Sequence, residues 1–254
     1  MNHANPSVIL IIPSASYRTN PFMDAATKLD INILVITDKS QVFSEYYPDN
    51  VITMNFEHWQ ESIANIREWS ERYDLKAVIG VDEESIILAA KLSESLCIEH
   101  NSLESVKLTK NKYLMRSELK KSGLKSPWFK RFSVHETPKD IFAELSFPCV
   151  LKPTFLSASQ GVLRVNSFEE FGKGCEMLSD LLAEEKVKKR GGDQANWILV
   201  EEYIPGKEVS IEGIVNDGKL KDLAIFDKPE PLEGPIFPET IFITPILTHK
   251  GTCA

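Results

Sequence analysis

The first 106 residues are built from short, largely apolar runs separated by helix-length segments. Val8-Ile-Leu-Ile-Ile12, Ile31-Asn-Ile-Leu-Val-Ile36 and Lys76-Ala-Val-Ile-Gly80 read as strands, and 51–54 as a further short one. Near-continuous apolar runs of this length suit strands covered on both faces. Residues 21–29, 57–73 and 83–96 read as helices, the last with apolar residues at Ile86, Ile87, Ala90 and Leu92. Strands alternating with helices imply a parallel sheet with right-handed crossovers. Residues 1–106 are therefore expected to form a Rossmann-like α/β domain.

The turn after the first strand is Pro13-Ser-Ala-Ser-Tyr-Arg18, where a dinucleotide fold places Gly-x-Gly-x-x-Gly. A nicotinamide-dependent oxidoreductase thereby loses its main support and stays only as a remote alternative. Val81-Asp-Glu-Glu84 ends a strand and opens a helix, where carboxylates either cap the helix or face a substrate. A net charge of -8 argues against nucleic acid as a partner, since counterion release needs a basic surface. Cys97, Cys149, Cys175 and Cys253 are widely spaced and form no Cys-x-x-Cys pair, and the histidines have no ligand spacing. Reduced thiols, a cytoplasmic location and no zinc site are the expectation. No apolar run is long enough to span a membrane, so no membrane partner is expected.

Chemistry concentrates in two later stretches. In Phe147-Pro-Cys-Val-Leu-Lys-Pro-Thr-Phe-Leu-Ser-Ala-Ser-Gln-Gly-Val162 an apolar strand delivers Lys152 to the lip of a small-residue loop. A point positive charge beside free backbone N–H groups suits a phosphate. In Ile198-Leu-Val-Glu-Glu-Tyr-Ile-Pro-Gly-Lys-Glu-Val-Ser-Ile-Glu212 a strand ends at two carboxylates and a Pro-Gly break. It restarts with Glu208, Ser210 and Glu212 on one face. Between these stretches, 162–165 reads as a strand, Ser167 caps a helix running toward Arg190, and 191–196 as a polar loop. Upstream, 108–123 reads as an N-capped helix closed by Gly123 and Pro127, 128–134 as a strand and 137–145 as a helix. Downstream, Asn216-Asp-Gly218 signals a hairpin into 219–226, and the proline-rich 227–239 follows.

This pairing of strands, from about residue 75 to about residue 230, resembles the ATP-grasp enzymes. The resemblance implies an α/β fold with a Rossmann-like pre-ATP-grasp domain over 1–106 and an ATP-grasp α+β domain over 107–254. Its small lobe would cover about 126–203, and its large lobe would start at about 204–254. The helix Lys112-Tyr-Leu-Met-Arg116 is similar to the family's Lys-x-x-Met-Arg, making Lys112 the first phosphate lysine and Lys152 the second. Ser157, Ser159, Gln160 and Gly161 stand where the family has a glycine-rich phosphate loop, and serine hydroxyls can donate to the same oxygens. Glu201 and Glu202 lie at the position of the adenine amine acceptor, Tyr203 and Ile204 supply backbone contacts, and Glu208 matches the ribose glutamate. Lys228 is the candidate contact to the terminal phosphate or acceptor substrate.

The resemblance further implies ATP and a small carboxylate as ligands, with magnesium held by a Glu-x-Asn-x-Arg motif. The sequence runs to Thr248-His-Lys-Gly-Thr-Cys-Ala254 without that motif. No metal ligand is identifiable, and the domain reads as C-terminally incomplete. A fragment, a shortened product, a homo-oligomer and a subunit completed by a second chain all stay open. The implied function is the ATP-binding portion of an ATP-dependent carboxylate-amine ligase acting through an acyl phosphate. A non-catalytic ATP-binding module is the alternative.

Overall fold

The computed structural model of the chain describes residues 5–39, 50–137, 139, 141, 144–230, 234–237 and 241–245. The chain divides into two compact units, Met1–Lys110 and Asn111–Ala254. In the first, β1 (Ser7–Ile11), α1 (Thr19–Leu29), β2 (Asn32–Thr37), β3 (Val51–Thr53), α2 (Ile63–Arg72), β4 (Leu75–Gly80), α3 (Ile86–Ser95) and α4 (Leu103–Lys110) follow one another. The strands form a parallel sheet in the order β3-β2-β1-β4.

Alternate residues of β1 and β2 feed opposite faces of this sheet. Ile9, Ile11, Leu34 and Ile36 pack with Ile66 and Trp69 of α2 and Leu88 and Leu92 of α3. Val8, Leu10 and Val35 pack on the other side with Phe22 and Met23 of α1. Two covered faces account for the uninterrupted apolar runs.

Two helices start later than their patterns suggest, because side chains take the backbone donors first. The Asn55 carboxamide accepts from the Glu57 amide at 2.9 Å, and a 3-10 turn at Trp59–Ser62 precedes α2. Asp82 accepts from the Glu84 amide at 3.2 Å, and the Ser85 hydroxyl donates to the Asp82 carbonyl at 3.0 Å. The acidic turn thus closes on itself ahead of α3, whose N-cap Ser85 makes no side-chain capping bond.

The second unit contains α5 (Lys112–Lys121), β5 (Phe129–Ser133), β6 (Cys149–Pro153), β7 (Leu163–Val165), α6 (Phe168–Ala183), α7 (Glu185–Gly191), β8 (Trp197–Glu202), β9 (Val209–Asn216) and β10 (Lys219–Asp227). An antiparallel sheet runs β5-β8-β6-β7. Cys149, Leu151, Ile198 and Val200 bury one face against Phe171, Cys175, Leu178 and Leu182 of α6. The helix expected over 108–123 breaks at Asn111, whose extended backbone (φ −128°) ends α4 while its side chain accepts from the Leu114 amide at 3.1 Å. The helix expected from Ser167 to Arg190 breaks at Glu184 (ψ 131°). The one expected over 137–145 falls partly outside the described residues.

β9 and β10 form their own two-stranded ribbon, turning through Asp217 (φ 49°) and Gly218 (φ 71°) as the Asn-Asp-Gly signal predicts. Its register pairs Ile211 with Ile225 and Val215 with Leu220, and a bulge lies between Asp222 and Ala224. Ile211, Ile214, Val215, Leu220 and Leu223 are each more than half exposed. No helix among the described residues is long and apolar enough to cross a membrane.

Candidate functional site

β6 presents Cys149 and Leu151 to the α6 core, so alternation turns Val150 and Lys152 to the opposite face. β8 does the same with Glu201. The register pairs Val150 with Glu201 and Lys152 with Leu199, which makes Lys152 and Glu201 diagonal neighbours across one face. That separation is within reach of a lysine. The Lys152 ammonium donates to Glu201 Oε1. On the other oxygen, Arg116 Nε donates to Oε2 at 3.1 Å. Glu201 is buried at 6% exposure, so both cations offset its desolvation. Removing one partner of such a pair typically costs about 3–5 kcal/mol.

Arg116 is held at this face because α5 is fastened to the sheet by rings. Tyr113 meets Phe129 edge-on at 5.8 Å, and the Arg131 guanidinium lies 4.4 Å from Tyr113 and 4.2 Å from Trp197. The amide of Lys112 donates to the Thr154 carbonyl at 2.8 Å, and its ammonium donates to the Leu156 carbonyl. α5 thereby also grips the loop that follows β6.

That loop, 154–161, is anchored from inside by Phe155 and Leu156, both buried. Ala158 (φ 52°), Ser159 (φ 56°) and Gly161 (φ 70°) are all left-handed. At Gly161 a Cβ would meet Leu181, Leu178 and Pro153 at 2.8, 2.9 and 3.1 Å. Glycine is thus needed there both for backbone hand and for packing against α6.

Beyond β8, Lys228 donates to Glu208 at 2.5 Å and lies 5.4 Å from the Phe242 ring. Lys207 pairs with the buried Asp227 at 3.0 Å. Arg164 stacks 4.1 Å over Tyr203. The Trp128 amide donates to the Glu202 carboxylate at 3.4 Å. Nearby, burial pushes the Cys149 and Cys175 thiols up to about 12, so neither serves as a nucleophile near neutral pH.

A cavity of about 730 Å³ gathers Lys152, Ser159, Glu201, Glu202, Tyr203, Ile204, Glu208 and Lys228 from the sequence-derived set. Lys112, Ser157, Gln160 and Gly161 do not line it; Lys112 holds the loop backbone and Gly161 packs on α6. Arg116 and Lys207 line the cavity without having been singled out. For Arg116 the available signal is its position four residues after Lys112, on the same helix face. Four cations and four carboxylates stand around the cavity, so its formal charges balance. Among the described residues no group of three or more His, Cys, Asp or Glu can hold a metal ion. The magnesium implied by the resemblance finds no protein ligand set among them.

Residues 145–252 match the ATP-grasp domain family. Over that stretch the chain is similar to ATP-grasp domains. The alanine–anticapsin ligase of Bacillus subtilis is 28% identical over 237 residues, covering 86% of this chain and 49% of the relative. The carbamoyl phosphate synthase large chain of a Thermoanaerobacter species is 24% identical over 159 residues, covering 63% of this chain and 14% of the relative. The crystal structure of an L-amino acid ligase from Bacillus licheniformis superposes with a TM-score of 0.73 at 22% identity, over 98% of this chain and 58% of that one. The chain spans about half the length of the alanine–anticapsin ligases it matches.

Proposed function

We propose that the second unit is the nucleotide-binding portion of an ATP-dependent ligase that joins a carboxylate to an amine or similar nucleophile. The observation that carries this reading is the single cavity gathering Lys152, Glu201, Tyr203, Ile204, Glu208 and Lys228. Its volume lies within the range of small-molecule sites. In this reading the adenine lies against the end of β8, with its amine toward Glu201 and its ring nitrogen toward the backbone after Tyr203. Glu208 accepts the ribose hydroxyls, since a carboxylate offers only acceptors to a diol. Lys152 and Lys228 face the phosphates, with Ser159 donating from the loop.

The proposed chemistry follows from that placement. A substrate carboxylate attacks the γ-phosphorus, the bond to the β-phosphate oxygen breaks, and ADP leaves an acyl phosphate. The nucleophile then adds to the acyl carbon, loses a proton and expels inorganic phosphate. Phosphoryl transfer asks the protein chiefly for positioning and charge neutralisation, so the lysines matter more than a general base. The names of the alanine–anticapsin and L-amino acid ligases favour amino acids as the substrate class.

The test is a thermal-shift titration with a non-hydrolysable ATP analogue and magnesium, comparing the natural chain with Lys152→Ala. A ligand that binds only the folded state adds about 2.7 kcal/mol at a hundredfold excess over its Kd. A rise in Tm that Lys152→Ala weakens supports the reading. A folded protein whose Tm does not move sinks it.

A further inference from the structure

Around the cavity, the groups assigned to the phosphates are already engaged by the groups assigned to the nucleoside. Lys152 is on Glu201 and Lys228 is on Glu208. A bound nucleotide therefore has to draw these cations off their carboxylates. At Glu208 the cost is modest, because that carboxylate is 53% exposed and water can replace the lysine. At Glu201 it is not, because the side chain is only 8% exposed and a carboxylate stripped of its cation there is left uncompensated.

We propose that Arg116 is the positioning residue that makes this exchange possible. It keeps Glu201 paired and oriented when Lys152 turns to the phosphates. The inference rests on the ATP reading above. Three observations carry it. Lys152 and Arg116 take different oxygens of the one carboxylate, so one can leave without disturbing the other. The two cations repel each other across Glu201, which loosens the hold on whichever is more mobile. Their anchoring differs: Arg116 sits on a helix fastened to the sheet by Tyr113, Phe129 and Arg131, with a planar guanidinium. Lys152 has a flexible four-carbon stem with rotatable donors. Arg116 therefore stays with Glu201, and Lys152 is the cation that moves.

Calorimetric titration of four chains with adenosine and with a non-hydrolysable ATP analogue tests this: the natural chain, Arg116→Gln, Lys152→Ala and the double variant. Arg116→Gln leaves Lys152 to neutralise Glu201 and so withholds it from the phosphates. It should weaken the ATP analogue by about tenfold or more while changing adenosine by less than about threefold. In the Lys152→Ala background no lysine remains to be released, so Arg116→Gln should then cost the analogue little, a coupling that a double-mutant cycle reads directly. Arg116→Lys, which keeps the charge and is expected to fold, should restore most of the affinity. Equal weakening of adenosine and analogue would reduce Arg116 to a structural support and overturn the proposal. A tenfold loss that persists in the Lys152→Ala background would instead make Arg116 a phosphate ligand, and would overturn it too. A natural chain that binds neither ligand refutes the ATP reading itself, and is distinguishable from both.

Discussion

Gly161→Ala is a sharp test of how the loop 154–161 is held. The residue has φ +70°, and a Cβ built on it meets Leu181 Cδ2 at 2.8 Å, Leu178 Cδ2 at 2.9 Å and Pro153 Cδ at 3.1 Å. An L-residue in the left-handed region costs about 1–2 kcal/mol. Forcing a methyl into a filled core adds about 1–3 kcal/mol, and here relief is poor, because Leu178 is 1% exposed and a proline ring cannot turn aside. A smaller unfolded-state entropy gain offsets part of this, leaving about 2–4 kcal/mol. At roughly 3–4 °C per kcal/mol for a unit of this size, the expected fall in Tm is about 6–16 °C by calorimetry. Gly123→Ala is the internal control, with the same backbone hand (φ +74°) and nothing within 4 Å of the new methyl. It carries the conformational cost alone, about 1 kcal/mol. If the two variants lose the same stability, the loop is not seated on α6 as described. Because Ser159 lies two residues before Gly161 and lines the cavity, the Gly161 variant should also bind the ATP analogue more weakly, whereas the Gly123 variant should not.

Two further outcomes are expected. The Cys149 and Cys175 thiols are raised by burial from 9.0 to about 12. Their neutral form is favoured by folding, so this contribution is complete below pH 9 and is lost as the pH rises toward 12, by up to about 1.4 kcal/mol per pH unit per thiol. Urea midpoints at pH 8 to 11 for the natural chain and Cys175→Ala should therefore converge as the pH rises; a constant difference would contradict the burial assigned to the thiol. Asn111→Ala removes the cap on α5 and a bond to Gln194. It should cost about 1–2 kcal/mol in chemical denaturation and loosen the Lys112 grip on the loop. A cost near zero would show that the break at Asn111 is set elsewhere.

What the sequence makes legible here depends on how local the cause is. The β1, β2 and β4 runs are readable because strands covered on both faces need no partner to reveal them. The β9–β10 turn is readable because Asn216-Asp217-Gly218 contains its own geometry. Lys152 and the end of β8 are readable as a resemblance, because apolar strand, charge and breaker lie side by side. The break at Asn111 is hidden, since a polar residue amid lysines looks like ordinary helix surface. The pairing of Arg116 with Glu201 is hidden for another reason: the two lie 85 residues apart, and they meet only through the placement of β8 between β5 and β6. Lys112 shows the limit of spacing alone. Its place on the helix is legible, whereas the carbonyl it holds is decided by the path of the loop.

The ribbon of β9 and β10 has a consequence for how the molecule behaves in solution. Two strands alone are marginal in water, and this pair carries Ile211, Ile214, Val215, Leu220 and Leu223 in the open, each more than half exposed. Its amides should lose protection from hydrogen exchange well before those of β6 and β8, which sit in a filled core. The same residues leave apolar surface open to contact when chains are crowded, opposed by the repulsion of a net charge of -8. Salt screens that repulsion while leaving the apolar surface untouched. Solubility should therefore fall as salt is raised.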